Sequence, residues 1–415
     1  MDNQYTALLE ELHNKKLIAF GCGKYFREFL LRYPSLAGEI ALILDNHPQS
    51  DVYTYDKFCI PVMYPAEINR FDLSNYIIIF CAGSWKEMKE QLDGIAGQEY
   101  ICFHYPLNID YRKNRPLGIF HRIVVPSVEI LKEYSVMEKA AKLLGIEGES
   151  KIPECLIKGT IHTIPRLTVA LTPRCSLRCK ECNNLMWRFS DHSDLQAEKI
   201  ISSLQNVIDA MDLIPCVELI GGEPFAAGNL NHVLDFLLKQ KNVMVIEITT
   251  NATIMPSVET LNRLKNQKIY IHVSSYGHVV DQRRFISCMQ ENNIQYRLLE
   301  FQNQWVSTGG IEKRNRDADE LMYQYYHCTS GNLCKTLWEN KLYPCARAAS
   351  LAALGIMADC PYIDCLQKED IRERLYSFYL VPSCGPCDYC DVAVADPVYV
   401  EPAVQLDRTE DICGQ

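Results

Sequence analysis

The sequence predicts an α/β protein built from successive compact units, and three observations predict it. Apolar strand-like runs alternate with amphipathic helix-like runs along most of the 415 residues, the pattern of parallel sheets wrapped by helices. That alternation occurs twice, before about residue 105 and again after 165, with a polar, punctuated stretch between. Beyond residue 325 the composition changes, and short hairpin-like pieces rich in cysteine take over. A prior of about 150 residues per domain makes two or three domains the expectation for this length.

The first unit, 1–105, opens with "KLIAFGCGKYFREFLLRY", an apolar strand, a glycine turn and an amphipathic helix. "IALILDN" and "NYIIIFCAG" supply two further strands, and the helical "SWKEMKEQLDGI" follows, so a small parallel sheet is expected. Residues 106–164 read as a linker that contains a helix, "SVEILKEYSVMEKAAKLLGI". The second unit, 165–305, starts at "RLTVALT" and repeats strand and helix through "CVELI", "VMVIEITT", "IYIHVSS" and "QYRLLEF". Five strands lie between Arg166 and Phe301, as an open or partial parallel barrel requires. In such a barrel the loops after the C-terminal strand ends carry the chemistry. The third unit, 325–415, has little apolar core, and metal is a natural substitute for one.

Composition narrows the function. A formal charge of -10 offers no electrostatic footprint for phosphate backbones, so nucleic acid is not an expected partner. No run of 18 apolar residues and no signal-like start is present, so the expectation is a cytoplasmic protein away from the membrane. Nineteen cysteines in a reducing compartment point to metal or catalysis rather than disulfides.

The loop after the first barrel strand reads "LTPRCSLRCKECNN", with Cys175, Cys179 and Cys182 inside eight residues. Three thiolates fit a structural zinc that borrows a distant residue. They also fit a [4Fe-4S] cubane in which one iron is left open to a small-molecule ligand. Three features follow in order at strand ends: "GGEP" with Gly221, Gly222, Glu223 and Pro224, then "TTNA" with Thr250 and Asn251, then Ser274 in "HVSSYG".

Over residues 166–301 this arrangement resembles the radical S-adenosylmethionine (radical SAM) superfamily. The resemblance implies a [4Fe-4S] cluster on Cys175, Cys179 and Cys182, with SAM chelating the open iron. It implies that Gly221, Gly222, Glu223 and Pro224 meet the amino group of SAM, and that Thr250, Asn251 and Ser274 make further polar contacts. It implies cleavage of SAM to a 5'-deoxyadenosyl radical that abstracts hydrogen from a substrate, with a reductant such as flavodoxin or ferredoxin. Two positions depart from the superfamily pattern: Glu181 where an aromatic is common, and Ala252 in place of glycine. Trp187 is either a replacement aromatic surface or core.

The region from "CKTLWENKLYPC" to "CGPCDYC" resembles twitch and SPASM domains, which implies one auxiliary [4Fe-4S] cluster. Its expected ligands are Cys334, Cys345, Cys387 and Cys390, with Cys328 and Cys384 as alternates, and Asn340 stands where the motif has glycine. A zinc ribbon is the competing reading of the same cysteines. Cys22, Cys59, Cys81, Cys102, Cys155, Cys216, Cys288 and Cys413 are read as buried or incidental thiols.

Gly21 and Gly23 between a strand and a helix, with Asp45 ending the next strand, resemble a Rossmann-like dinucleotide turn whose third glycine is Phe26. The segment is also similar to modules attached to enzymes of sugar and surface-polysaccharide pathways. That likeness implies a sugar, cyclitol or nucleotide-sugar substrate undergoing dehydrogenation or epimerisation. A peptide-modifying radical enzyme and a noncatalytic zinc scaffold are the alternatives. No acid, base or hydrogen donor is identified by the sequence; Cys288 lies in a helix and reads as core.

Overall fold

Short apolar runs separated by amphipathic ones do form two large sheets, beside a two-stranded one, in the computed structural model, which describes residues 8, 11–12, 15–55, 58–82, 85–105, 120–276, 279–299, 304–381, 383–394 and 397–406. Cys413 and the polar run at 108–118 lie outside the described residues. The chain divides into two units, 1–115 and 116–415.

The first unit has six strands: β1 (Lys16–Phe20), β2 (Ile40–Leu44), β3 (Val52–Tyr55), β4 (Phe58–Met63), β5 (Tyr76–Phe80) and β6 (Ile101–His104). Their order is β3-β4-β2-β1-β5-β6, parallel throughout except for the β3–β4 hairpin at one edge. Successive residues of β1 serve opposite faces. Leu17 and Ala19 pack with Phe26 and Phe29 of the helix Lys24–Arg32, whereas Ile18 and Phe20 pack with Met88 and Leu92 of the helix Trp85–Asp93. A strand buried on both faces has to be apolar throughout, which is why "LIAF" and "YIIIF" do not alternate.

In the second unit the helices Val125–Glu133, Met137–Leu144 and Ile152–Ile157 precede β7 (Arg166–Ala170), β8 (Ile214–Ile220), β9 (Val243–Thr250), β10 (Ile269–Ser274) and β11 (Tyr296–Leu299). These are the five strands expected between Arg166 and Phe301, all parallel. Then come β12 (Trp305–Val306), β13 (Cys334–Trp338), β14 (Lys341–Tyr343), β15 (Ile363–Asp364) and β16 (Tyr399–Val400). The eight-stranded sheet runs β11-β10-β9-β8-β7-β13-β14-β15. β13 is therefore the sixth parallel strand, paired with β7. The cysteine-rich region expected to stand apart at 325–415 instead extends the barrel sheet, because β13 finds a free strand edge at β7.

The two faces of this sheet differ in chemistry. Leu167, Val169, Val217, Leu219, Ile246, Ile248, Ile271 and Val273 form the core beneath the helices, and each such side chain contributes roughly 1.5–3 kcal/mol when buried. The alternate residues are polar. Arg166 donates to Glu247 at 2.9 and 3.1 Å, His272 Nδ1 lies 2.8 Å from the same carboxylate, and Tyr134 donates its hydroxyl to it. Burial opposes ionisation of Glu247, but the His272 hydrogen bond and the Arg166 charge prevail and hold its carboxyl at about 2.

Candidate functional site

β7 delivers the chain to the three-cysteine loop. Cys179 is buried, and Cys175 and Cys182 are half-buried. Each sulfur has polar company: Leu177 N–H and Asn251 Nδ2 lie 3.5 and 3.6 Å from Cys175 Sγ, and Gln405 Nε2 donates to Cys179 Sγ at 3.1 Å. Burial pushes the Cys175 thiol up to about 12, so these groups are protonated at neutral pH until a metal displaces the protons.

Gln405 is a residue that sequence reasoning missed. The 404–406 segment lies along the cysteine loop, with Arg178 N–H donating to Gln405 Oε1 and Lys180 N–H to Val404 O, both at 2.8 Å, and Leu406 N–H to Arg178 O at 2.9 Å. No local sequence signal marks a partner this far along the chain.

The glycines after β8 are required by this loop. A Cβ on Gly222 would lie 2.1 Å from Arg174 O and 2.8 Å from Cys175 Cβ, and one on Gly221 would lie 2.5 Å from Thr172 O. Gly222 N–H and Glu223 N–H donate to Thr172 O and Arg174 O at 2.7 and 2.8 Å, which stitches the two strand ends together. Close approach of the cysteine loop, rather than of a ligand alone, thus accounts for the pair.

Glu223 and Pro224 are buried and do not line the cavity described below. The Glu223 carboxylate accepts from Thr250 Oγ1 at 2.7 Å, Asn251 N–H at 2.9 Å and Phe225 N–H at 3.1 Å. Burial raises this carboxyl to about 7 despite those donors. In this geometry Glu223 fixes the end of β9. Ala252, in the glycine position, adopts φ +62°, the left-handed conformation that glycine accepts without strain.

These strand ends surround a cavity of about 510 Å³. Cys175, Cys179, Cys182, Gly221, Gly222, Thr250, Asn251 and Ser274 all line it, together with Glu181, Trp187, Tyr276 and Trp305. Gln282 Nε2 donates to both Asn251 O and Ser274 O, holding the ends of β9 and β10 in register. Glu181 is no aromatic, and its carboxylate instead accepts from Thr308 N–H at 2.9 Å and Ser307 Oγ at 3.1 Å, anchoring the wall that carries Trp305. Trp187 belongs to the cavity lining, and its buried indole N–H has no partner among the described residues. Thiols at one end and an unsatisfied donor in the wall fit a bound polar cofactor.

The second cysteine field is carried by several short elements. Cys345 caps the helix Ala346–Ala353, and Cys328 caps the short helix Thr329–Leu333. Burial pushes the Cys345 thiol up, with the neighbouring Cys384, Cys328 and Cys390 adding to the shift, and the Cys384 and Cys387 thiols are hydrogen-bonded. Cys328, Cys345, Cys384, Cys387 and Cys390 therefore form one group. Cys334 does not join it. As the first residue of β13 it sits across from Arg166, and its thiol, bonded to Thr168 and facing Glu218, belongs to the polar face of the barrel sheet. The expected ligand Cys334 thus stands apart from its alternates, Cys328 and Cys384.

Charge supports an anionic occupant for this group. Arg122, Lys335 and Arg347 are each no more than 1% exposed. Lys335 acts on Cys328 and Cys384, Arg122 on Cys384, and Arg347 on Cys345 and Cys390. Arg122 stacks over Tyr325 at 4.4 Å while its Nε and Nη1 lack partners among the described residues. Buried cations demand counter-charge, and thiolates around iron supply it. Among the described residues no three His, Cys, Asp or Glu side chains converge as ligands of a single ion; cubane thiolates bind separate irons. Asn340 is also corrected: Glu339, at φ +54°, takes the left-handed turn position, and Asn340 donates to Asp364 at 3.0 Å.

In the first unit Gly21 has φ +95°, and a Cβ there would lie 3.1 Å from Cys81 O. Asp45 reaches back to this turn, accepting from both the backbone N–H and the thiol of Cys22 at 3.0 Å. Asp45 thus closes the turn between Gly21 and Gly23 onto Cys22 in this structure.

Residues 166–304 match the family model of a 4Fe-4S single cluster domain. Solved structures similar to this chain include native anSMEcpe with bound AdoMet (15% identity, TM-score 0.28, covering 32% of this chain and 42% of that one). They also include Streptococcus suis SuiB bound to S-adenosylmethionine (14%, 0.34, 63% and 83%) and BtrN in complex with AdoMet and 2-DOIA (14%, 0.37, 57% and 97%). The alignment to native anSMEcpe spans less than half of that protein. No curated protein sequence matches the chain. No helix among the described residues is long and apolar enough to cross a membrane.

Proposed function

We propose that this protein is a radical SAM enzyme acting on a carbohydrate-like substrate, a sugar, cyclitol or nucleotide sugar, by dehydrogenation or epimerisation. The observation that carries the reading is the convergence of Cys175, Cys179 and Cys182 with Gly221, Asn251 and Ser274 on one cavity at the C-terminal strand ends. A [4Fe-4S] cluster on those thiolates would, with SAM, supply a 5'-deoxyadenosyl radical able to abstract hydrogen from carbon.

The chain's own part is positioning and exclusion. The glycine pair lets the cysteine loop sit against β8. Glu223 and Gln282 hold Asn251 in place from two sides. Tyr276 and Trp305, edge to face at 5.6 Å, wall the cavity against water. Uncharged polar groups, Asn183, Asn184, Thr249 and Ser330, complete the lining, and these suit a hydroxylated small molecule. A second cluster would rest on Cys328, Cys345 and two of Cys384, Cys387 and Cys390, and a small redox protein of the flavodoxin or ferredoxin type would deliver electrons.

The test is anaerobic incubation with SAM, reductant and separate panels of nucleotide sugars, cyclitols and peptides. Formation of 5'-deoxyadenosine that rises with a sugar or cyclitol supports the proposal. A rise with peptides alone overturns the substrate class, and loss of all SAM cleavage is expected in a Cys175→Ala variant.

A further inference from the structure

We propose that the N-terminal end of the barrel carries a second binding site, a lysine-lined cavity that takes the phosphate groups of a nucleotide. The residues involved are remote from the three-cysteine loop, so the inference does not depend on the iron-sulfur reading.

A cavity of about 520 Å³ opens between the helix Met137–Leu144, the end of the helix Leu230–Lys239 and the turns that enter β9 and β10. Five lysines line it: Lys139, Lys142, Lys239, Lys241 and Lys268. Among the described residues no carboxylate does, although the chain as a whole carries a formal charge of -10. Asp235, one turn before Lys239, is held by Arg263 through both oxygens at 2.7 Å. β9 runs from Val243 at this cavity to Thr250 at the cysteine-loop cavity. At about 3.3 Å per residue its two ends lie roughly 23 Å apart, so the two cavities are separate sites.

Lys268 distinguishes this cavity from a solvated face. It is 9% exposed, and its Nζ donates to Leu237 O at 2.8 Å and Gln240 O at 2.6 Å. Both acceptors are neutral carbonyls, and the third N–H of the ammonium has no partner among the described residues. Burial, with the neighbouring Lys139 charge adding to it, draws this ammonium down to about 8. Like charges gathered on one cavity repel one another, and bound phosphate relieves that repulsion through charge-assisted hydrogen bonds.

The remaining lining suits the rest of a nucleotide. Leu143, Leu238 and Met244 offer an apolar surface, and the carboxamides of Gln240, Asn266 and Gln267 can both donate and accept. A volume of this size fits a small organic ligand better than a lone ion.

The experiment is isothermal titration calorimetry of the full chain at fixed ionic strength, with pyrophosphate, ADP and a short polyglutamate peptide as probes. Wild type is compared with K139Q, K142Q, the double variant, K142R and, as a control in the first unit, K86Q. Lys139 and Lys142 are exposed, so wild-type melting temperatures are expected for these variants. ADP should bind more tightly than pyrophosphate, each glutamine should weaken both about tenfold, and K142R and K86Q should match wild type. No binding by wild type, or binding that the Lys139 and Lys142 changes leave untouched, overturns the site. Pyrophosphate as tight as ADP overturns the nucleotide class. Polyglutamate tighter than either overturns the small ligand in favour of an acidic protein surface.

Discussion

Gln405 Nε2 donates to Cys179 Sγ at 3.1 Å, so a side chain near the end of the described residues reaches the sulfur at the centre of the cysteine loop. Groups that hydrogen-bond to ligands orient them and tune the metal. Gln405→Ala is expected to weaken retention of one cluster by about tenfold, within the range seen when such supporting contacts are lost. Iron release against a chelator, wild type beside variant, measures it; equal release rates would make the contact incidental.

The two rival cysteines before the β13–β14 hairpin separate cleanly by iron count. Cys328→Ala is expected to leave about four of about eight irons, each cubane holding four, whereas Cys334→Ala should keep the full complement. The reverse result would restore Cys334 to the auxiliary site and remove Cys328.

Glu247 carries an acid-stability prediction. Its folded-state carboxyl is held at about 2, below its ordinary value of 4.5, so its contribution is present above 4.5 and is lost as pH falls toward 2. Glu247→Gln leaves the buried Arg166 with only the longer pair to Glu218 at 3.6 Å, and a loss toward the lower end of about 3–5 kcal/mol is expected. Denaturant melts of metal-free protein from pH 6 to pH 3 should show wild type losing stability more steeply than the variant. Parallel slopes would contradict the ion-pair account.

Ala252 stands at φ +62°. Ala252→Gly relieves left-handed strain, and after the entropy of glycine is subtracted a gain of about 0.5 kcal/mol remains. A melting temperature at or above wild type is the expected reading, and a clear drop would show that the Ala252 methyl packs better than its backbone suffers.

Much of the fold was legible because parallel strands buried on one or both faces are written as apolar runs, and the five strands from β7 to β11 were counted in order. The three-cysteine loop and the polar strand ends were legible for a related reason: they follow their strands immediately. Spacing cannot show which way a thiol points, and only the register of β13 against Arg166 turns Cys334 to the polar face. Gln405 carries no local signal at all, and its role arises from contacts between segments far apart in the chain. The β13–β14 turn shows the finer limit, since Glu339 rather than Asn340 takes the left-handed position once Asn340 is committed to Asp364.

The most direct test of the central claim is iron, sulfide and zinc content per chain after anaerobic purification, for wild type and for the Cys175/Cys179/Cys182 triple alanine variant. The account predicts about eight irons falling to about four, one cubane lost and one kept. Zinc with little iron, persisting after anaerobic reconstitution, would contradict it and return both cysteine fields to a structural role.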